Sequence, residues 1–249
     1  MEEEFPGPRT AIVTGGARRI GAALLRALAA DGWHLLIHYN ASRDEAEALA
    51  GEVGNAATVR AELASPDCAD RIMAGLGGLP PPRLLVNNAS QFRGDSLADF
   101  AADQWDRHQA VNLRAPALLT QAFAAALSGG NGLIVNLLDA KLAAPNPDFF
   151  SYTVSKMGLD GLTELSARAL APRVRVCGIA PSVTMVSGPQ SRDNFDKVHR
   201  LNALGRGVEA GQIVAALRFI IASPTLTGQT ITLDAGQRFL SLPRDVQYL

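Results

Sequence analysis

Three residues in the second half of the chain, Asp139, Tyr152 and Lys156, have the types and spacing of a proton-transfer site. Tyr152 and Lys156 are four residues apart, so on a helix their side chains project from one face and can meet. A free tyrosine titrates near about 10, and a cation within roughly 4 to 6 Å lowers that pKa toward neutral pH. The pair is therefore a candidate proton shuttle. The alternative is a chance helical pair that does no chemistry.

A glycine-bearing segment near the start, Thr14–Gly21, has the composition of an anion site. It follows an apolar β-rich run and precedes a helical pattern. In such a strand-to-helix turn, the free N–H groups and the positive end of the helix dipole can hold a pyrophosphate. Arg18 and Arg19 add positive charge. The alternative is a tight turn without a ligand.

The segment His38–Arg43, at the end of the second predicted strand, indicates which dinucleotide would bind. It has no acid at its first positions, where an NAD site places a carboxylate on the ribose 2'-hydroxyl. Donors to a 2'-phosphate are present instead, on Arg18, Asn40, Ser42 and Arg43. We therefore expect NADPH over NADH, with Arg18 as the strongest contact. The alternative for at least one of the four is an ordinary solvated face or helix cap.

The elements that must position these residues follow a regular alternation of strand and helix. Short β-rich apolar runs lie at Arg9–Thr14, Trp33–Tyr39, Ala57–Arg60, Leu84–Asn87, Leu133–Leu138, Val174–Ile179 and Thr230–Leu233. Helical patterns lie at Ile20–Ala30, Ser42–Ala50, Pro66–Leu76, Asp103–Leu127, Tyr152–Leu170 and Glu209–Ala222. This alternation predicts an α/β fold, a doubly wound parallel sheet with right-handed crossovers.

Length and pattern predict one domain over residues 1–249, because no linker or repeat interrupts the alternation. The segment Ser182–Arg206 is longer than an ordinary connection and mixed in polarity. We interpret it as a lid over a substrate.

Composition excludes several function classes. Lysine and arginine number 23 against 24 acids, so no general basic field exists to hold nucleic acid or an anionic membrane. Cys68 and Cys177 have no metal-type spacing and are too few for a disulfide framework, so we expect no metal and a cytoplasmic location. The acidic residues at positions 2–4 do not fit a signal peptide, and no apolar run reaches the roughly 18 residues of a membrane helix.

Taken in order, Thr14–Gly21, Asn87-Asn88-Ala89, Asn112 and Tyr152-x3-Lys156 resemble the short-chain dehydrogenase/reductase family along nearly the whole chain. The resemblance implies a Rossmann-type sheet and NAD(P)-dependent hydride transfer. It implies Tyr152 as proton donor, Lys156 as ribose ligand and pKa tuner, and Asn112 as support for a water-linked proton relay. It also implies a homo-oligomer, a tetramer or dimer, built partly on the helices that contain Asn112 and Tyr152.

The chain departs from the usual family pattern at three positions. Asp139 replaces the serine that hydrogen-bonds a carbonyl substrate, Arg19 replaces a glycine, and Phe92 follows Asn87–Ser90. These departures resemble the pteridine reductase branch. That resemblance implies that Phe92 stacks on a pterin, while Ser90 and Arg19 face its polar edges and the cofactor phosphates. A carboxylate near the phenol would oppose Lys156 and hold Tyr152 protonated, which suits proton delivery to a basic nitrogen.

The cofactor contacts expected on this resemblance extend along the whole cleft. Glu62 stands where an aspartate usually borders the adenine, and Pro181-Ser182 replaces Pro-Gly after the sixth strand. The adenine contacts and the start of the lid therefore differ from the usual family pattern. The expected set is Gly15, Arg18, Arg19, Ile20, His38, Tyr39, Asn40, Ser42, Glu62, Leu63, Asn88, Ala89, Ser90, Tyr152, Lys156, Pro181 and Val183.

Three hypotheses follow. The first is an NADPH-dependent reductase of a dihydropterin, of the dihydromonapterin, dihydrobiopterin or dihydrofolate type, with Asp139 and Tyr152 at the substrate. The second is an NADPH-dependent carbonyl reductase acting on 3-oxoacyl or small keto substrates. The third is a catalytically silent NADPH-binding sensor, against which the complete set of Asn112, Tyr152 and Lys156 argues.

Overall fold

A seven-stranded, all-parallel sheet forms the centre of the protein. The computed structural model describes residues 4–186 and 191–248. The strand order is β3-β2-β1-β4-β5-β6-β7. The strands are β1 (Thr10–Val13), β2 (His34–Tyr39), β3 (Ala56–Arg60), β4 (Pro82–Asn87), β5 (Gly132–Leu137), β6 (Val174–Pro181) and β7 (Thr230–Leu233).

The central strands are apolar throughout because helices cover both faces of the sheet. Successive side chains of a strand point to opposite faces. In β1, Ala11 and Val13 pack into one core layer with α1 and α8, whereas Ile12 packs into the other layer with α3 and α5. All three side chains are fully buried. This is the doubly wound parallel sheet that the alternating pattern predicts and the Rossmann-type fold that the family resemblance implies, and both predictions are confirmed.

Eight α-helices are found in the described part of the chain. They are α1 (Arg19–Ala30), α2 (Arg43–Val53), α3 (Cys68–Ala74), α4 (Ala102–Gln109), α5 (Ala115–Ala126), α6 (Phe150–Leu170), α7 (Arg192–Val198) and α8 (Ala210–Ile221). None of these described helices is both long and apolar enough to cross a membrane.

The predicted helix Asp103–Leu127 is present but not uniform. It consists of α4, a π-helical turn at Ala110–Arg114, and α5. A π turn takes in about one more residue than an α turn and occurs frequently at functional sites. Here the turn carries Asn112, so the irregularity coincides with a residue that the sequence singles out.

Two other predicted segments differ from the structure. Helix α3 is shorter at both ends than the predicted Pro66–Leu76. The predicted lid Ser182–Arg206 contains α7, which the sequence pattern did not reveal, and residues 187–190 of that segment lie outside the described residues. Short 3-10 turns complete the chain at Ala140–Ala143, Gln237–Leu240 and Val246–Tyr248.

The order of strands reverses at β1, which pairs with β2 on one side and β4 on the other. At such a switch point the connections leave in opposite directions, and a crevice opens beyond the carboxyl ends of the two strands. Gly15 follows β1 and Asn88 follows β4, so both predicted motifs lie at this crevice.

Candidate active site

A single continuous cleft of about 600 Å³ lies at the carboxyl edge of the sheet. It brings together most of the residues that the sequence predicts. Those in its walls are Gly15, Arg18, Arg19, Ile20, Tyr39, Asn40, Ser42, Asn88, Ala89, Ser90, Phe92, Asp139, Tyr152, Lys156, Pro181 and Val183. Four predicted residues do not line it: His38, Glu62, Leu63 and Asn112.

Asp139, Tyr152 and Lys156 meet where β5 and α6 converge. The Tyr152 hydroxyl donates a hydrogen bond of 2.7 Å to Asp139 Oδ2, and the backbone N–H of Lys141 donates to Asp139 Oδ1 at 2.8 Å. Lys156 Nζ donates to the carbonyl of Leu137 at 2.6 Å and lies 5.9 Å from the centre of the Tyr152 ring. The phenol, the carboxyl and the ammonium therefore occupy one buried pocket.

Burial and charge set the ionisation of this group. The pKa of Tyr152 is raised well above its usual value, first by burial and then by the negative charge of Asp139 and the hydrogen bond to it. Burial also raises the pKa of Asp139. Burial lowers the pKa of Lys156 to about 8, although Asp139 works against this. Tyr152 is thus held in its protonated form, and Lys156 does not lower its pKa as spacing alone would predict.

Asn112 lies behind the cleft wall and joins it to α6. Its side-chain oxygen accepts from the backbone N–H of Gln91 at 2.7 Å and from the Ser90 hydroxyl at 3.3 Å. Its side-chain amide donates to the carbonyl of Gln91 and to Ser155 Oγ, each at 2.9 Å. The side chain of Asn112 therefore braces the loop after β4 against the helix that carries Tyr152.

The glycine turn has the shape of a phosphate cradle. Gly15 has φ +60°, a left-handed conformation that favours glycine, and a Cβ on Gly21 would overlap the carbonyl of Gly15. Helix α1 begins with no side-chain cap and no acid in its first turn. A helix start of this kind presents free N–H groups to an anion. The turn therefore fits the pyrophosphate of a dinucleotide.

His38 supports this turn from below. Its Nδ1 accepts from the backbone N–H of Gly15 at 3.0 Å, so its Nε2 carries the proton and donates to the carbonyl of Ala61 at 3.0 Å. The ring is 2% exposed, and burial lowers its pKa. The uncharged His38 ring thus holds the glycine turn at a fixed distance from Ala61 and does not itself line the cleft.

Arg19 occupies a strained backbone conformation at the first position of α1. Its φ is +55°, where the family pattern has a glycine. A non-glycine residue in such a region costs on the order of 1–3 kcal/mol. The side chain crosses to the segment after β6 and donates to the carbonyl of Met185 at 3.4 Å. Burial and then the neighbouring Arg18 lower its pKa. Arg19 therefore combines a strained backbone with a position in the wall of the cleft.

Three of the four donors predicted for a 2'-phosphate line the cleft: Arg18, Asn40 and Ser42. Arg18 lies 62% exposed and forms an ion pair of 3.2 Å with Glu45. Asn40 donates to Glu62 at 2.8 Å, and Arg107 lies 3.5 Å from the same carboxylate. Glu62 therefore holds Asn40 in place from outside the cleft. Arg43 turns away and pairs with Glu47 at 2.7 Å.

Phe92 forms part of an aromatic wall of the cleft. Its ring packs edge-on against Tyr152, with 4.7 Å between centroids, and stacks on Phe149 at 4.4 Å. Phe149 stacks in turn on Tyr248 at 5.7 Å. Phe92 is half-buried and lines the cleft, so it is not a residue folded into the core.

Sequence reasoning missed two groups of residues that build the site. The first is Thr14, which was predicted only as the start of the glycine segment. It does not line the cleft but joins the two crevice motifs, because its Oγ1 accepts from the backbone N–H groups of Asn88 and Ala89, each at 3.0 Å. Its place between a strand and the glycines could have indicated this role. The second group comes from beyond β7 and gave no local signal: Asp234, Gln237, Arg238, Leu242, Asp245, Val246 and Gln247.

Known proteins resemble this chain along most of its length. It is 29% identical over 238 residues to the 3-oxoacyl-[acyl-carrier-protein] reductase of Synechocystis sp., covering 92% of this chain and 96% of that protein. It is 30% identical over 246 residues to dehydrogenase/reductase SDR family member 4 of Homo sapiens, covering 92% and 87%.

Two solved structures share the whole fold. Both are FolM alternative dihydrofolate reductase 1 with NADP, from Brucella canis and Brucella suis, and each is 38% identical to this chain. The TM-scores are 0.87 and 0.85; the first comparison covers 94% of this chain and 95% of the other, and the second 93% and 95%.

The sequence pattern of the family described as short chain dehydrogenase matches residues 9–196. This match spans the glycine turn, the loop after β4 and the Tyr152-Lys156 pair. The chain therefore belongs to the short-chain dehydrogenase family of oxidoreductases.

Proposed function

We propose that this protein is an NADPH-dependent reductase of a dihydropterin, of the dihydromonapterin, dihydrobiopterin or dihydrofolate type. The observation that carries the proposal is the 2.7 Å hydrogen bond between the Tyr152 hydroxyl and Asp139. A carboxylate in this position favours a protonated tyrosine and a basic acceptor. The likeness to two proteins titled dihydrofolate reductase supports the same substrate class.

The proton chemistry follows from the chain's own residues. When bound, the reduced nicotinamide supplies a hydride to the carbon of a ring C=N bond. Tyr152 gives its proton to the adjacent nitrogen, which completes the reduction of that bond. The raised pKa of Asp139 lets this carboxyl carry a proton closer to neutral pH, so it can resupply Tyr152 through the hydrogen bond. The ammonium of Lys156 offsets the negative charge left on the phenol oxygen.

The walls of the cleft suit a flat heteroaromatic with many donors and acceptors. Phe92 lines the cleft next to Tyr152, and stacking of a flat ligand on such an aromatic ring contributes roughly 1 kcal/mol beyond burial. Ser90 and Arg19 contribute a hydroxyl-bearing and a guanidinium-bearing side chain to the lining of the same cleft. Val183, Met185 and α7 belong to the segment that we propose as the lid.

A carbonyl reductase is the second candidate. Relatives named 3-oxoacyl reductase and L-xylulose reductase favour it by sequence. Such a reaction uses a neutral hydroxyl near the tyrosine to hold the carbonyl oxygen, because a carboxylate would repel the developing alkoxide. Asp139 occupies that place here, and for this reason we place the carbonyl substrate second.

One assay separates these two functions. Protein, NADPH and a 7,8-dihydropterin are expected to lose absorbance at about 340 nm as the nicotinamide is oxidised. The same mixture with a 3-oxoacyl thioester or a small ketone serves as the comparison. Turnover of the ketones without turnover of any pterin would reject the dihydropterin proposal.

Arg18→Ala is expected to raise the Kd of NADPH by about 10- to 100-fold, because a charge-assisted hydrogen bond contributes roughly 1.5–3 kcal/mol. The Kd of NADH should stay nearly constant, since NADH lacks the 2'-phosphate. Fluorescence titration with both coenzymes measures the two values. Arg26→Ala is the matched control: Arg26 lies on α1, the helix that starts directly after Arg18, and it is also exposed and ion-paired, to Glu52 at 2.6 Å. Equal losses for both coenzymes would disprove the role of Arg18.

The family resemblance also leads us to propose a homo-oligomer. Met157 and Leu165 on α6 are 44% and 68% exposed, which leaves large apolar side chains on the helix that carries Tyr152. Exposed apolar groups of this kind are typical of an interface between copies.

A further inference from the structure

The last residues of the chain fold back over the substrate end of the cleft. We call residues 242–248 the C-terminal clasp. Leu242, Asp245, Val246 and Gln247 line the same cleft as Asp139 and Tyr152. Val246 is 7% exposed, so the segment is held to the protein by a buried side chain. The C-terminal clasp is therefore a wall of the candidate substrate site.

One anchor of the clasp is an ion pair shielded from solvent. Lys141 Nζ lies 3.2 Å from Asp245 Oδ2, and the two side chains are only 9% and 14% exposed. The same ammonium donates to the carbonyl of Asp148 at 2.5 Å. Ion pairs removed from water are screened less than surface pairs. Lys141 follows Asp139 by two residues, so this anchor lies beside the proton-transfer site.

A second anchor joins the clasp to the turn before α6. Arg244 Nε donates to both oxygens of Asp148, at 2.7 and 3.0 Å, and the backbone N–H of Asp245 donates to the same carboxylate at 2.7 Å. Tyr248 stacks on Phe149, whose other neighbour is Phe92. The clasp thus continues the aromatic wall that reaches Tyr152.

Gln247 is a polar residue of the C-terminal clasp that lines the cleft. Its backbone N–H donates to Asp245 Oδ1 at 3.0 Å, which fixes the residue relative to the first anchor. Asp245, the other polar residue of the clasp in the cleft wall, is engaged by Lys141, whereas no hydrogen bond joins the Gln247 carboxamide to another of the described residues. A carboxamide offers two donors and an acceptor on one flat group. This set matches both the amide-like edge of a pterin ring and the hydroxyls of a ring side chain.

We propose that Gln247, held by the C-terminal clasp of its own chain, hydrogen-bonds the substrate and helps to determine which substrate is accepted. This inference rests on the proposed function for the nature of the substrate. It assigns recognition to a residue outside the family motifs and to a segment that follows the last strand.

Gln247→Ala is expected to raise the KM of a dihydropterin by about 5- to 15-fold, the loss of one good hydrogen bond, with kcat changed less than about threefold. The Kd of NADPH should be unchanged. The Kd of an oxidised pterin, followed by fluorescence, should rise by the same factor as KM. Gln229→Ala is the matched control, because Gln229 is exposed and outside the cleft.

Two substrates identify the group that Gln247 contacts. A dihydropterin without a ring side chain and one with a polyhydroxylated side chain should be compared. An equal rise in KM assigns the contact to the ring edge, and a rise with the second substrate alone assigns it to the side chain. Unchanged KM and pterin binding in Gln247→Ala would overturn the inference while leaving the dihydropterin proposal intact.

If the wild-type enzyme reduces ketones but no pterin, the proposed dihydropterin reductase function is rejected. The inference is then judged with the ketone, and a KM unaffected by Gln247→Ala overturns it too.

Mixed assemblies test whether the clasp serves its own chain. Chains carrying Gln247→Ala and chains carrying Tyr152→Phe can be co-expressed and purified together through different tags. Each subunit with an intact Tyr152 then has alanine in its own clasp, so KM should remain that of Gln247→Ala. Recovery of the wild-type KM would overturn the same-chain assignment, because it would require Gln247 from a neighbouring copy.

Discussion

Tyr152→Phe is expected to reduce kcat for dihydropterin reduction by about 10²- to 10⁴-fold, the usual contribution of a positioned general acid. The change removes one oxygen atom and leaves the ring that packs against Phe92. The hydrogen bond to Asp139 is lost with it. The proton then has to come from solvent, which the buried position of the phenol restricts, since Tyr152 is 6% exposed. Steady-state kinetics with saturating NADPH measure the effect.

The Kd of NADPH serves as the internal control for this variant, because Tyr152→Phe leaves the glycine cradle and Lys156 in place. The melting temperature should show that the variant is folded. A variant that keeps more than about a tenth of the wild-type kcat would assign the proton transfer to another group.

Asp139→Ser is expected to lower kcat/KM for a dihydropterin by about 10- to 100-fold. The kcat/KM for a ketone should stay the same or rise. Serine restores the hydroxyl that a carbonyl oxygen needs, while it removes the carboxyl that holds and resupplies the Tyr152 proton. The two substrates should therefore respond in opposite directions. A fall with ketones that matches the fall with pterins would contradict the role given to Asp139.

The pH dependence of Asp139→Ser gives a second readout. Activity falls at high pH as Lys156 and then Tyr152 lose their protons, and the negative charge of Asp139 raises the pKa of both groups. Removal of the charge should lower both pKa values, so the alkaline limb of the kcat profile should move to lower pH. Asp70→Ser is a matched control, because Asp70 is an exposed residue on α3. An alkaline limb that stays in place would show that Asp139 tunes neither Lys156 nor Tyr152.

The sheet and the centre of the cleft could be predicted because they depend on local patterns. Buried parallel strands require runs such as Leu84–Asn87, and each run lies within two residues of an observed strand. The parallel arrangement then puts the residues after β1, β4 and β5 at one edge. The sequence pattern therefore suffices to predict that Asp139, Tyr152 and Lys156 lie close together.

The remaining features depend on contacts between distant parts of the chain. The Lys141–Asp245 pair joins residues 104 positions apart, and the Arg244–Asp148 pair joins residues 96 positions apart. Neither ion pair produces a repeating pattern in the sequence, because each forms only when the C-terminal segment packs against the rest of the fold. The π turn at Asn112 was likewise hidden, since one additional residue in a turn barely alters a helical pattern.

The left-handed conformation of Arg19 lowers the stability of the protein in exchange for a side chain that can bind a ligand in the cleft. Glycine at this position would relieve the strain and raise heat resistance, as glycine does wherever a positive φ is required. The same exchange would remove a guanidinium-bearing side chain from the lining of the cleft. A directed-evolution campaign that scores only survival at high temperature would therefore drift toward glycine here and produce robust but poorly binding enzymes, unless turnover is selected in the same round.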